Sequence, residues 1–193
     1  ILPSLWLGNM YAASDENFMR TANICAIVNC TPDIPNYFEC AKSLNIKYLR
    51  VPVHDPGKEV NIDDKNVAYI IQYLDSIIGF IRKYHKPGKK AVLIHCRAGI
   101  QRSAIITVLY ILTHMNHKNF FEYETNKKKI LRYIVKCRPI AFYGGHEITF
   151  RIILKLYVFN ICQPQIYGFR CSKLDRIGGH FGQRCNRSEH QPS

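Results

Sequence analysis

The sequence contains no apolar run that approaches the roughly eighteen residues needed to cross a membrane. The longest candidate, residues 105–112, is short enough to be a buried helix, so we predict no membrane span. No basic-then-apolar leader follows Ile1, which predicts that the chain carries no signal peptide. The missing initiator methionine predicts that the native N-terminus has been trimmed.

Paired cysteine spacing is also absent. The eight cysteines are scattered along the chain, and several lie in apolar runs, where a cysteine usually behaves as a small hydrophobic residue. This pattern argues against a secreted disulfide scaffold and predicts a reducing compartment, the cytoplasm or the nucleus. The eight are Cys25, Cys30, Cys40, Cys96, Cys137, Cys162, Cys171 and Cys185.

Acidic residues are few. The chain has 14 Asp and Glu against 27 Lys and Arg, a formal net charge of +13, which favours acidic partners. We predict that the densest basic cluster forms one solvated helix face, with a docking surface for an acidic protein or RNA as the alternative. The cluster consists of Lys127, Lys128, Lys129, Arg132, Lys136 and Arg138.

Short apolar segments alternate with longer amphipathic ones, and 193 residues fit one domain. This order predicts an α/β fold with a mostly parallel central sheet flanked by helices. Strands are predicted at residues 5–8, 24–28, 47–53 and 91–94. Helices are predicted from about residue 14, over 67–81, over 103–114, around 130–135 and over 147–159.

The pattern dissolves after residue 162 into Gly, Arg, Ser, Gln and Pro. We therefore predict a folded domain over residues 1–162 and a basic, disordered tail over 163–193. The tail also contains four potential zinc ligands, but their spacings match no CxxC-type pair, so a plain tail is favoured. These ligands are Cys171, His180, Cys185 and His190.

The most informative stretch is HCRAGIQRS at residues 95–103, which follows a predicted buried strand and opens a predicted helix. A loop of this kind aims backbone amides at one point and forms a cradle for an anion. Gly99 permits the tight turn, and the planar fork of Arg102 can hold two phosphate oxygens. The predicted substrate-binding residues are His95, Arg97, Ala98, Gly99, Ile100, Gln101 and Arg102.

Cys96 would lie in the middle of this cradle. The amides and the helix dipole that bind phosphate also stabilise a thiolate, which is a nucleophile aimed at phosphorus. Ser103 can donate a hydrogen bond to the sulfur and ease its later departure, while His95 is expected to order the loop rather than to titrate. This chemistry predicts no metal and no cofactor.

These residues are the HCxxGxxRS pattern of the protein tyrosine phosphatase superfamily, and the chain resembles its dual-specificity branch. The similarity extends to residues 5–9, residues 28–31 and Arg138-Pro139, and it covers about residues 2 to 160. It is similar to the small atypical members, including viral ones, so a viral protein in a host cell is one expectation. The resemblance implies a cysteine-dependent phosphatase fold.

The resemblance also implies a general acid on the loop after the strand that precedes the long helix. That position is Asp55, and a carboxylic acid there would protonate the leaving alkoxide or phenoxide. Asp63 and Asp64 are rivals, but they are expected to cap the long helix. Where many members carry an Asn that braces the phosphate loop, this chain has approximately Gly144.

The implied function is removal of phosphate from phosphotyrosine and phosphoserine or phosphothreonine in proteins through a phosphocysteine, with a phosphoprotein as the partner. An RNA 5′-triphosphatase or phosphoinositide phosphatase is the alternative, favoured by the net charge and by Arg97. Lipid-specific relatives tend to carry more basic residues where Ile100 and Gln101 stand. A non-catalytic phosphate-binding module is a further alternative, although Cys96, Arg102 and Asp55 are all present.

Overall fold

The strands of the domain form one parallel sheet. The computed structural model describes residues 1–54, 64–114 and 120–143. Four strands in this part lie in the order β1-β4-β2-β3, and every neighbouring pair is parallel. They are β1 Leu5–Gly8, β2 Ile24–Asn29, β3 Lys47–Arg50 and β4 Ala91–His95. The predicted α/β class with a parallel central sheet is confirmed.

Helices cover both faces of the sheet. They are α1 Met10–Ser14, α2 Glu16–Thr21, α3 Asp64–Tyr84, α4 Arg102–His114 and α5 Phe120–Cys137. All five residues of β4 are buried, and their side chains alternate between two cores. Val92 and Ile94 belong to the larger core, which contains buried residues of α3, α4 and α5. Ala91 and Leu93 belong to the smaller core, with Ala13 of α1 and Met19 of α2.

The helices begin and end largely where local chemistry predicts. Asp15 caps α2, accepting a hydrogen bond from the Phe18 amide at 3.0 Å. The prediction missed α1, which is capped in the same way by Asn9, whose Oδ1 accepts from the Ala12 amide at 3.0 Å. α3 begins at Asp64 and ends at Tyr84, ahead of the Pro87-Gly88 turn. The helix predicted over residues 147–159 lies outside the described residues.

The third predicted strand is shorter than expected. It was predicted over residues 47–53, but β3 ends at Arg50. The ladder continues for one more bond, from the Val51 amide to the Asn29 carbonyl at 2.8 Å. Pro52 then has no N–H to donate, and the Val53 amide turns back to the Val51 carbonyl at 2.7 Å. The chain therefore leaves the sheet at Pro52 and carries Val53 toward the carboxyl edge.

The prediction that the basic cluster forms one solvated helix face is wrong. Lys127 is only 3% exposed and pairs with Glu124, so it packs inside the domain rather than facing solvent. Arg138 lies beyond the end of α5 and donates to the loop after β4. Lys128, Lys129, Arg132 and Lys136 remain exposed on α5. None of the helices in the described ranges is long and apolar enough to span a membrane.

The loop after β2 is held by a fully buried amide. Asn29 Oδ1 accepts from the amide and the hydroxyl of Thr31, at 3.2 and 2.7 Å. Its Nδ2 donates to the Ile34 carbonyl at 2.8 Å and to Asn36 Oδ1 at 3.0 Å. Arg50 binds the same loop from β3, donating to the Thr31 and Ile34 carbonyls at 2.9 and 2.8 Å. These bonds fix residues 30–36 at the carboxyl edge of the sheet.

Replacing Asn29 by alanine should therefore destabilise the domain. We expect Asn29→Ala to lower the free energy of unfolding by about 2 to 4 kcal/mol, because it leaves several buried partners without hydrogen bonds. Asn17→Ala, on the exposed surface of α2, is the matched control and should change it by less than about 1 kcal/mol. Chemical denaturation measures both values, and equal effects of the two substitutions would contradict this role of Asn29.

Candidate active site

Residues 96–101 form the connection between β4 and α4 at the carboxyl edge of the sheet. In open parallel α/β sheets this edge is where ligands bind. β4 is central and fully buried, so the start of the loop is rigidly placed. The loop leads into a helix of 13 residues, whose first amides have no partners within the helix.

Cys96 lies at the base of this loop and is only 2% exposed. Its sulfur accepts a hydrogen bond from the Gly99 amide at 3.2 Å. It accepts a second from the hydroxyl of Ser103, also at 3.2 Å. Both donors favour a sulfur that carries negative charge, because a hydrogen bond to a charged acceptor is stronger than one to a neutral acceptor. The sequence predicted this contact with Ser103.

The carbonyl groups of four consecutive loop residues are all bound on the outer side of the loop. Arg97 O accepts from the Met10 amide at 3.1 Å, and Ile100 O accepts from the Phe142 amide at 2.8 Å. Arg138 donates to the two between them, with Nε 2.9 Å from Gly99 O and Nη2 3.1 Å from Ala98 O. Because the N–H and C=O of a peptide unit point in opposite directions, these bonds leave the loop amides directed inward.

Gly99 is required by its conformation and by its neighbours. Its φ of +70° lies in the left-handed region. A Cβ atom here would lie 2.5 Å from the Gly8 carbonyl oxygen and 2.6 Å from Arg138 Nη2. Any side chain at position 99 would therefore displace the backbone of β1 or the guanidinium group that holds the loop.

Arg102 begins α4 and is 6% exposed. Its Nη1 donates to the Val53 carbonyl at 3.0 Å. This bond joins the start of α4 to the segment that leaves the sheet at Pro52. A buried guanidinium that is oriented by a backbone carbonyl is well suited to hold an anion in a fixed position.

His95 ends β4 and is 1% exposed. Burial is the main cause that lowers the pKa of His95 to about 4; the adjacent Cys96 carbonyl partly opposes this shift, and the positive charge of Arg50 adds to it. Its Nδ1 lies 3.4 Å from that carbonyl oxygen. His95 is therefore neutral at physiological pH, in agreement with the expected ordering role.

Cys30 is a second buried thiol close to Cys96. Its amide donates to the His95 carbonyl at 2.8 Å, directly before Cys96. Burial raises the pKa of the Cys30 thiol well above its ordinary value, the proximity of Cys96 raises it further, and Arg102 opposes these effects. Cys30 therefore remains a neutral thiol, and Cys96 alone receives the two hydrogen bonds described above.

Arg97 points away from the base of the loop. Its guanidinium forms an ion pair with Asp33, on the loop after β2, and both side chains are 52% exposed. Desolvation alone would raise the pKa of Asp33, but a hydrogen bond from its own backbone and the charges of Arg97 and Arg102 outweigh it and lower that pKa. A carboxylate that is ionised at neutral pH cannot donate a proton, so Asp33 is a poor general acid.

Several predicted residues lie outside the described part of the chain. They include Asp55, Asp63, Gly144 and the four potential zinc ligands of the tail, as well as the boundary at residue 162. Asp64 is the first residue of α3. Of the other loop residues, Ala98 is exposed, while Ile100 and Gln101 are half-buried. Within the described residues, no group of three or more His, Cys, Asp or Glu could hold a metal ion.

The sequence did not reveal two contacts of the loop. The sequence indicates Arg138 only as a member of the basic cluster and of the Arg138-Pro139 pair, whereas its bonds to the loop span 39 and 40 residues. The pairing of Arg97 with Asp33 spans 64 residues, and no local pattern indicates it. The only local signals are the position of Arg97 next to Cys96 and the presence of an Asp in the loop after β2.

Comparison with known proteins agrees with this geometry. The family model for the dual specificity phosphatase catalytic domain matches residues 5–133. Dual specificity protein phosphatase 1-A of Xenopus laevis is 32% identical over 133 residues, which are 68% of this chain and 32% of that protein. The chain therefore spans about a third of the length of such relatives.

Solved structures show the same fold. Human DUSP28 aligns with a TM-score of 0.58 and 22% identity, covering 84% of this chain and 96% of that one. The Yvh1 phosphatase domain from Chaetomium thermophilum aligns with a TM-score of 0.63 and 19% identity, covering 83% and 94%. With a family model that matches most of the folded part, this chain belongs to the dual specificity phosphatase catalytic domain family.

Proposed function

We propose that this domain hydrolyses phosphotyrosine and phosphoserine or phosphothreonine in proteins through a phosphocysteine intermediate on Cys96. The observation that carries the proposal is the environment of the Cys96 sulfur, which accepts hydrogen bonds from the Gly99 amide and the Ser103 hydroxyl. Membership of the family supports the same activity. The partner is then a phosphoprotein.

In the first step the Cys96 thiolate attacks phosphorus, and the ester P–O bond breaks as the S–P bond forms. Arg102 and the loop amides hold the non-bridging phosphoryl oxygens as charge develops on them. The leaving oxygen needs a proton, and Asp55 is the proposed donor. Asp55 follows Val53 by two positions, and the Val53 carbonyl binds Arg102, so this assignment is consistent with the chain path up to His54.

In the second step a water molecule attacks phosphorus and the S–P bond breaks. The Asp55 carboxylate, now ionised, takes a proton from that water, which releases inorganic phosphate and restores the acid. The departing sulfur regains negative charge, and the Ser103 hydroxyl at 3.2 Å stabilises it. His95, neutral at physiological pH, has no acidic imidazolium proton to donate in either step, and its proposed role is to order the loop.

Cys96→Ser should abolish hydrolysis of an aryl phosphate while phosphate binding persists, because the cradle consists of amides and Arg102. Loss of an activated nucleophile costs several orders of magnitude in rate. Cys40→Ser, at an exposed cysteine, is the matched control and should retain full activity. Residual activity of Cys96→Ser above about 1% of the wild-type rate would contradict the covalent mechanism.

Asp55→Asn should lower kcat by roughly 10²- to 10⁴-fold, the range for loss of a general acid. A general acid acts only while protonated, so wild-type kcat should fall as pH rises through its pKa. The variant should lose this alkaline fall, which a pH–rate profile measures. A larger effect of Asp63→Asn would mean that the acid has been assigned to the wrong residue.

Arg138→Lys should test whether the outer clamp on the loop is needed. Lysine keeps the charge but cannot reproduce the planar fork that spans the Ala98 and Gly99 carbonyls. Since small displacements of a binding cradle are costly, we expect kcat/KM to fall about 10- to 100-fold and the inhibition constant of phosphate to rise. Arg132→Lys, on the exposed face of α5, should leave both values unchanged. Equal values of kcat/KM and of the phosphate inhibition constant in the two variants would show that catalysis does not need the contact of Arg138 with the loop.

A further inference from the structure

The rim of the site contains an ion pair that the reaction does not use. Arg97 immediately follows Cys96, yet its guanidinium binds Asp33 instead of facing the base of the loop. Both side chains are about half exposed, so solvent and a bound substrate can reach them. Arg97, the cation that would favour a polyanionic substrate, is therefore already paired with the carboxylate of Asp33.

Asp33 is held in place by buried structure. It lies between Thr31 and Ile34, whose polar groups bind the fully buried side chain of Asn29. Arg50 binds three carbonyls of the same short loop, those of Thr31, Pro32 and Ile34. This scaffold fixes the backbone that carries the carboxylate, so its approach to Arg97 depends on the fold and not on a mobile surface segment.

The charge of Asp33 also acts on the phosphate site itself. Its carboxylate lies within the electrostatic influence of Arg102 as well as that of Arg97. A carboxylate at this position neutralises one rim cation and repels any phosphate group beyond the one being cleaved. A protein phosphomonoester brings a single phosphate to the site, whereas a 5′-triphosphate brings further charges that need cations at the rim.

We propose that Asp33 determines specificity, making the site select isolated phosphate monoesters over chains of phosphates by neutralising Arg97. This inference rests on the proposed function and narrows its substrate class. It also offers a physical reason why the net positive charge of the chain would not favour triphosphate-ended RNA: Arg97, which follows Cys96 in the sequence, is already paired with Asp33.

The test compares two inhibitors of aryl phosphate hydrolysis, inorganic phosphate and tripolyphosphate. We expect Asp33→Asn to lower the ratio of the tripolyphosphate to the phosphate inhibition constant by about three- to fivefold, the range for a half-exposed ion pair. Asp33→Glu retains the charge and should keep the wild-type ratio. Glu16→Gln removes a similarly exposed acid that pairs with Arg20 within α2, and should also leave the ratio unchanged. An unchanged ratio in Asp33→Asn, with the melting temperature preserved, would overturn the proposal.

A double-variant cycle tests the role of Arg97. In an Arg97→Gln background the effect of Asp33→Asn on the ratio should shrink to less than about twofold, since no cation is left to release. An undiminished effect would overturn neutralisation of Arg97 as the mechanism.

A further measurement on the wild-type protein distinguishes failure of the proposed function from failure of the inference about Asp33. If the wild-type protein hydrolyses aryl phosphate but no phosphopeptide, the proposal that its substrates are phosphoproteins is wrong. The ratio of the two inhibition constants still decides the role of Asp33. If Asp33→Asn instead leaves the ratio unchanged while phosphopeptides are hydrolysed, only the inference about Asp33 fails.

Discussion

The site depends on where four carbonyl groups point. An anion cradle made of backbone amides is stable only if the carbonyls of the same peptide units find partners elsewhere. Here the carbonyls of residues 97–100 are bound by the start of α1, by Arg138 and by the Phe142 amide. Gly99 is the one loop residue whose backbone requires a glycine, and the space that a side chain would occupy contains Arg138.

Two buried cysteines within the same region show how environment decides chemistry. Cys30 and Cys96 follow neighbouring parallel strands, and both are almost fully excluded from solvent. Burial alone disfavours a thiolate, and for Cys30 it raises the pKa well above the ordinary value. At Cys96 an amide and a hydroxyl donate hydrogen bonds to the sulfur. The donors at fixed positions around Cys96 therefore give its sulfur surroundings different from those of Cys30, in keeping with the nucleophilic role proposed for Cys96.

Much of this arrangement is local in sequence and could be predicted. The strand–loop–helix around Cys96, the contact of Ser103 with the sulfur and the parallel sheet follow from patterns spanning a few residues. Bonds between distant segments were not predictable: the clamp by Arg138 and the pairing of Asp33 with Arg97 depend on how the chain folds back. The buried position of Lys127 was missed for the same reason, because a run of charged residues does not reveal which of them packs against Glu124.

The partners of the loop carbonyls are contributed by widely separated parts of the chain. Met10 lies before the second strand, whereas Arg138 and Phe142 follow the fifth helix, so the loop is held by segments more than 120 residues apart. Because Arg138 and Phe142 supply the partners of three of the four carbonyls, a chain truncated at the end of α5 would leave the carbonyls of residues 98–100 without them.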